Sequence, residues 1–218
     1  MDVAVNLTVI VCSADCDTAY GISSLNHRLS VSSISSQGVA VGTLSGYAEP
    51  GDVVTFNVRR PEVNKLTDVN GDVLLGRQLG EVEEIWYPSV DGQEIQGWII
   101  KPPDFDPTKQ YPLILAIHGG PHGMYGVGFN FAWQNHAANG YVVLYTNPRG
   151  SSGYGSTFGN AIKRAYPGMD YDDLMTGVDT VINRGYIDSD NLLKRQWADL
   201  VGLYQREIRD YVGSMLPR

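Results

Sequence analysis

Residues 111–126 read YPLILAIHGGPHGMYG, residues 137–155 read AANGYVVLYTNPRGSSGYG, and residues 166–188 read YPGMDYDDLMTGVDTVINRGYID. An apolar run from Pro112 to Ile117 stops at His118-Gly119-Gly120-Pro121, and a second, Tyr141 to Tyr145, runs into Asn147-Pro148-Arg149-Gly150. Neither run alternates with polar residues. That pattern predicts strands buried on both faces, as in a parallel sheet covered by helices. Each run closes on glycines and a proline, so the chain turns at the strand's C-terminal end. In open α/β sheets this is the edge where sites are built. The predicted class is therefore α/β.

Working outward, Leu174, Val178, Val181 and Ile182 fall at helical spacing behind Asp170, Asp172 and Asp173. Three aspartates invite a metal reading. Acids in a helix's first turn also favour its dipole and cap its free N–H groups, and that is the reading taken. The glycine-rich turn 147–155 invites a phosphate reading. It lacks a Lys-Ser/Thr ending and is not a G-x-G-x-x-G run, so phosphate is set aside. Arg149 instead offers a planar fork for a carboxylate such as Asp170 or Asp173. Gly119-Gly120-Pro121 is, from spacing alone, either a tight turn or a place where backbone N–H groups approach a ligand closely. His118 reads as a hydrogen-bonding residue at a strand end. His122 is less informative, and His136 lies in a helix-like stretch, 129–139, ended by Gly140.

HGGPHG at 118–123, NPRGSSGYG at 147–155 and DYDDL at 170–174, with YPSVDGQEIQGWIIKPPDF at 87–105 upstream, resemble the catalytic domain of the prolyl oligopeptidase family of serine peptidases. The acylaminoacyl-peptidase and dipeptidyl-peptidase branch is the nearest. The resemblance covers about Leu66 to Leu193. It implies an α/β-hydrolase fold, a preceding β-propeller, a Ser–Asp–His triad, short peptides as substrates, and no cofactor or metal. Such enzymes take one oxyanion donor from the residue after the nucleophile and one from the loop after an early strand. By resemblance the latter is the Gly120 N–H, with Gly119 beside it. The family's catalytic histidine lies near the domain's C-terminus, which leaves His118, Arg149, Asp170 and Asp173 with structural roles near the site.

Residues 1–80 read as β. Val3 to Val11, Leu29 to Ile34, Val39 to Leu44 and Val53 to Val58 are strand-like, with turn signals at Ser35-Ser36-Gln37-Gly38 and Glu49-Pro50-Gly51-Asp52. Their spacing suits a sandwich, a barrel or propeller blades, and the resemblance favours the last blade or two of a propeller, followed by a passage from Asn64 to Gly80. Residues 81–193 form the N-terminal part of the hydrolase domain, opened by a hairpin of Glu81 to Tyr87 and Gln96 to Lys101 around Asp91-Gly92. After Asn191-Leu192-Leu193 the family pattern stops. A nucleophile elbow, G-x-S-x-G, is expected there. The chain reads KRQWADLVGLYQREIRDYVGSMLPR, and no serine of the sequence has glycine at both minus two and plus two. The expectation is a fragment or truncated form without triad. In residues 194–218, Trp197, Leu200, Val201, Tyr204, Ile208, Tyr211, Val212 and Met215 mark an amphipathic helix. It would cover the open sheet edge, bind a partner chain or a second copy, or belong to another fold context. A non-catalytic interaction protein is the alternative function.

Composition bounds the partners. The net charge of −8 speaks against nucleic acid, because phosphate binding needs clustered Lys and Arg. No apolar run is long enough to span a membrane, and no cationic n-region precedes the first apolar residues. The two cysteines, Cys12 and Cys16, read as small buried hydrophobes, with a disulfide or a metal site near His27 as alternatives. A cytoplasmic protein is the expectation.

Overall fold

The computed structural model describes residues 10–12, 19–21 and 27–196. Most of the 3–11 run, Cys16 and the amphipathic stretch beyond Gln196 lie outside the described residues. The chain divides into two compact units. One comprises Met1–Gln78 with Gly126–Phe131, the other Leu79–Tyr125 with Ala132–Arg218.

The first unit is all β. Strands β1 (Ile10–Cys12) and β2 (Ala19–Gly21) pair antiparallel. Strands β3 (His27–Ile34), β4 (Val39–Gly46), β5 (Asp52–Asn57) and β6 (Arg60–Lys65) form an antiparallel meander in chain order. Alternation along β4 and β5 turns Ala40, Val54 and Phe56 to one face, where they pack with Leu29. Gly42 is required for closeness. It lies opposite the bulge between Val31 and Ser33, and a Cβ there would stand 2.2 Å from the Ser30 carbonyl oxygen. Strand β6 departs from the sequence reading, which began the passage between domains at Asn64. Pro61 argues against a central strand, but β6 is the sheet's outer strand, where a missing N–H is tolerated. The passage itself holds one short helix, α1 (Gly71–Leu74).

The second unit is α/β. Its sheet has the order β11 (Ile187–Gln196), β9 (Tyr111–Ile117), β10 (Val142–Asn147), β8 (Glu94–Ile100), β7 (Val82–Pro88). β7 and β8 form the antiparallel hairpin, with Gly92 at φ 82° in its turn. β8 pairs antiparallel with β10, while β10–β9 and β9–β11 are parallel. Every residue of β10 is buried, as a continuous apolar run in a two-sided sheet requires. Three helices belong to these crossovers: α2 (Phe131–Ala138), stopped by Gly140 at φ 85°, α3 (Gly155–Asn160) and α4 (Met169–Ile182). Helix α4 lays Leu174, Val178 and Val181 into a core with Tyr87, Leu113 and Leu144. At Gly177 a Cβ would stand 2.6 Å from the Tyr87 hydroxyl, so this helical glycine makes room for the tyrosine.

One expectation is corrected here. The α4 helix starts at Met169 and carries Asp170 and Asp172 in its first turn, as read, but not as caps. No side chain caps it: Gly168 is the N-cap, and Asp170 Oδ1 instead accepts from the Gly168 N–H at 2.7 Å. After Tyr186 the chain enters strand β11 at Ile187.

Candidate functional site

The parallel pairing of β9 and β10 sets Ala116 opposite Tyr145, so the turns after Ile117 and Asn147 leave the sheet side by side. They are stitched together. His118 Nε2 and Ser151 Oγ are 3.0 Å apart. The Ser151 hydroxyl donates to the Pro148 carbonyl at 2.6 Å, so the ring N–H is the donor to Ser151. His118 Nδ1 lies 3.1 Å from the Gly119 carbonyl oxygen. Two acceptors suit an imidazolium, yet burial outweighs them and pushes the ring below the ordinary histidine value. The His122 Nδ1–H donates to the Gly150 carbonyl at 2.9 Å. Ser152 donates through its N–H to Gly123 O at 3.0 Å and through its hydroxyl to His122 O.

A second set of bonds holds the outgoing arm of the first turn. Asn147, fully buried, accepts from the Tyr125 N–H at 2.7 Å and donates to the Tyr125 carbonyl at 3.0 Å. It also donates to the Tyr154 hydroxyl at 2.7 Å, which donates in turn to Gln96. The Tyr125 ring meets His118, Trp133 and Tyr145 edge-on, with centroids 5.0, 5.0 and 5.5 Å away.

This scaffold fixes Gly120 in a conformation closed to other residues. Its φ is 127°, and a Cβ there would stand 2.8 Å from the Gly123 nitrogen. Gly120 is exposed, and among the described residues no hydrogen bond uses its N–H. Gly119 precedes it at the strand end. A preorganised, unengaged backbone donor is what stabilises developing negative charge on an oxygen.

Arg149 lies beneath the second turn. Its backbone N–H and its Nε and Nη2 all donate to Asp173, at 2.8, 3.0 and 2.6 Å. Nη1 donates to Asp91 Oδ2 at 2.6 Å, and Nη2 reaches Ser89 Oγ at 3.3 Å. Asp173 is wholly buried and Arg149 nearly so. The Asp173 carboxylate, with Asp91, raises the guanidinium further above its ordinary value, and Arg149 holds Asp91 below the usual carboxylate range. Asp170 belongs to no part of this pair. Burial raises its carboxyl above the ordinary value. Sequence reasoning missed Asp91, Asn147, Ser151 and His122. Asp91 was read only as a turn residue, and a local signal existed for it alone, in the Asp-Gly pair.

Strand β11 completes the geometry. It runs parallel to β9, and its last residue, Gln196, pairs with Ile117, directly before His118. β11 therefore ends beside the Gly120 turn. His136 sits on α2, with its ring edge-on to Tyr141 at 6.3 Å.

Comparison with known proteins places this arrangement. Residues 127–195 match the prolyl oligopeptidase family. An uncharacterized peptidase of Bacillus subtilis, YuxL, is 46% identical over 123 residues, covering 56% of this chain and 19% of its own. Dipeptidyl-peptidase 5 of Schizosaccharomyces pombe is 36% identical over 132 residues, covering 57% of this chain and 19% of its own. The solved acylaminoacyl peptidase of Pyrococcus horikoshii superposes with a TM-score of 0.74 at 26% identity, over 84% of this chain and 29% of that one. The chain thus spans about a fifth of the length of the curated relatives it matches. The matched residues include the second of the stitched turns, the Arg149–Asp173 pair and β11 up to Arg195, and over these residues the chain is similar to the prolyl oligopeptidase family.

Proposed function

We propose that this chain is the oxyanion-turn half of a serine-type peptidase that hydrolyses short peptides through an acyl-enzyme, and that its 218 residues hold no activated serine. The observation that carries the reading is the delivery of β11 at Gln196 beside the Gly120 turn. An elbow strand must end there if a serine hydroxyl is to share a carbonyl with the Gly120 N–H. The residues that follow are Trp197-Ala198-Asp199-Leu200, without the glycines an elbow requires.

In this reading the roles divide as follows. Gly120, with Gly119, donates to the oxyanion. His118 holds the turn through Ser151 and is not the catalytic base. Arg149 and Asp173, with Asp170 nearby on α4, brace the second turn. The four-stranded meander of the first unit is a propeller blade, and the second unit is the first part of an α/β-hydrolase domain. Neither metal nor cofactor enters an acyl transfer of this type. Two cysteines in 218 residues suit the reducing cytoplasm, and among the described residues no helix is long and apolar enough to cross a membrane.

The test is fluorophosphonate labelling of the folded chain, read by intact mass. We expect no adduct. A stoichiometric adduct would show an activated serine and overturn the inactive half of the proposal. A second reading, a non-catalytic interaction protein, is favoured by the apolar spacing of Trp197, Leu200, Val201 and Tyr204. It requires mass by light scattering to rise with concentration. A mass fixed at one chain over a hundredfold concentration range rejects self-association.

A further inference from the structure

A cavity of about 420 Å3 opens beside the Gly120 turn, within the second unit. Pro121, the residue after Gly120, forms one wall with Ile162 and Tyr166. His122, Asn160 and Lys163 supply its polar groups. The polar inventory is specific. His122 commits Nδ1–H to Gly150 O, and Asn160 commits Nδ2 to the Ser156 carbonyl at 2.8 Å. Lys163 is exposed and makes no ion pair among the described residues. The cavity thus joins an apolar wall to an unneutralised ammonium.

Gly159 on α3 completes the lining. Its backbone needs no glycine, since its φ is not in the left-handed region. A Cβ there would meet only the Ser151 carbonyl oxygen, at 3.8 Å. A helical position without strain that lacks a side chain is less favourable than alanine would be there. Here the absent side chain leaves the cavity open.

We propose that this cavity seats the C-terminal residue of a short peptide, its apolar side chain against Pro121, Ile162 and Tyr166 and its free carboxylate at the Lys163 ammonium. The inference rests on the reading of Gly120 as an oxyanion donor. A peptide advances about 3.3–3.6 Å per residue, so a carbonyl held at the Gly120 N–H carries its next one or two residues over Pro121. An apolar side chain enters a mostly apolar concavity, and the few polar groups set orientation, as in small-ligand sites generally. Lysine acts there as a compact point charge on a flexible stem, suited to a carboxylate without fixed bidentate geometry. The cavity would therefore favour peptides that end close to the scissile bond.

The test uses the 218-residue chain and three probes: acetyl-Ala-Phe with a free carboxylate, the same dipeptide as its amide, and acetyl-Ala-Glu-amide. Binding is followed by NMR on the His122 ring signals, assigned by their loss in a His122→Gln variant. We expect saturable shifts, with the free acid about fivefold tighter than its amide, the span an exposed ion pair supports. Lys163→Met should erase that difference, as should molar salt, where the screening length falls to about 3 Å. Gly159→Phe, which fills the cavity from an unstrained helical position, should weaken both phenylalanine probes at least tenfold. Equal affinity for acid and amide, or an acid preference that survives Lys163→Met, overturns the proposal. So does a Glu-amide that binds as tightly as the free acid, or tight binding that persists in Gly159→Phe. Absence of any saturable shift overturns it as well. None of these outcomes bears on serine chemistry, which the fluorophosphonate experiment reads separately.

Discussion

At the scale of single residues, the second unit depends on one buried cation. Arg149 satisfies Asp173 with three N–H groups and reaches Asp91 across the hairpin turn. Removing one partner of such a pair strands a charge in the interior, which costs about 3–5 kcal/mol. We expect Arg149→Met to lower the urea-unfolding free energy by that amount, and Arg149→Lys to recover only part of it, because an ammonium cannot span both Asp173 oxygens. An Arg149→Met variant as stable as the parent would remove the pair from any structural role. The need of Arg149 for a carboxylate was legible in the sequence. The choice between Asp170 and Asp173 was not, since the two stand three apart on one helix and share a face. Asp91, 58 residues upstream, comes near only through the hairpin's tertiary placement. Gly120 was legible as a glycine site but not for its reason. Its φ of 127° and the 2.8 Å approach to the Gly123 nitrogen make alanine costly there. We expect Gly120→Ala to destabilise by about 1–3 kcal/mol, the range for a residue held in a sparsely populated conformation, in a denaturation assay.

At the scale of elements, the two buried parallel strands were legible because their apolar runs do not alternate. Their neighbours were not. Nothing local says that β10 lies between β9 and β8, or that β11 returns beside β9. Those pairings follow from burying both faces of each strand under the crossover helices. The acids in the first turn of α4 were legible, but not what they bond. They read as caps, whereas Asp173 is drawn inward by Arg149. Two positions test these placements. Asn147 acts as an adaptor between β10 and the arm at Tyr125, holding both its N–H and its carbonyl. We expect Asn147→Ala to cost about 1–3 kcal/mol, the penalty for buried groups left unpaired, with amide exchange at Tyr125 accelerating ahead of that in β10. Gly177→Ala sets two effects against each other. Helix propensity gains about 1 kcal/mol. The new methyl would stand 2.6 Å from the Tyr87 hydroxyl, whose ring is wholly buried and bonded to Asp173 O. Overpacking of a dense core costs about 1–3 kcal/mol, so destabilisation should win, and a more stable Gly177→Ala would show that the helix can shift.

At the scale of the whole molecule, the two units respond to acid through different groups. In the first, Asp52 accepts from Thr67 Oγ1 at 2.8 Å and the Val69 N–H at 2.9 Å and pairs with Lys65 at 2.8 Å. The bond from Lys65, with that from the Val69 N–H, lowers its carboxyl from 3.8 to about 2. A depressed acid stabilises the fold fully above its unfolded value of 3.8 and loses that contribution as pH falls towards 2. In the second unit His118 is held below its ordinary 6.5 by burial. There the unfolded chain takes up the proton first, so stability is greatest above 6.5 and declines as pH falls through that value. The residues of the first unit include no tryptophan, so tryptophan fluorescence follows the second. We expect the urea midpoint by fluorescence to drop between about pH 7.5 and 5.5, the range in which an unfolded histidine titrates. A His118→Gln variant should flatten that step while leaving the Asp52-linked loss below pH 4 visible in circular dichroism. A midpoint that rises on acidification would mean that the Gly119 and Ser151 acceptors outweigh burial, and that the turn carrying Gly120 is tightest with His118 charged.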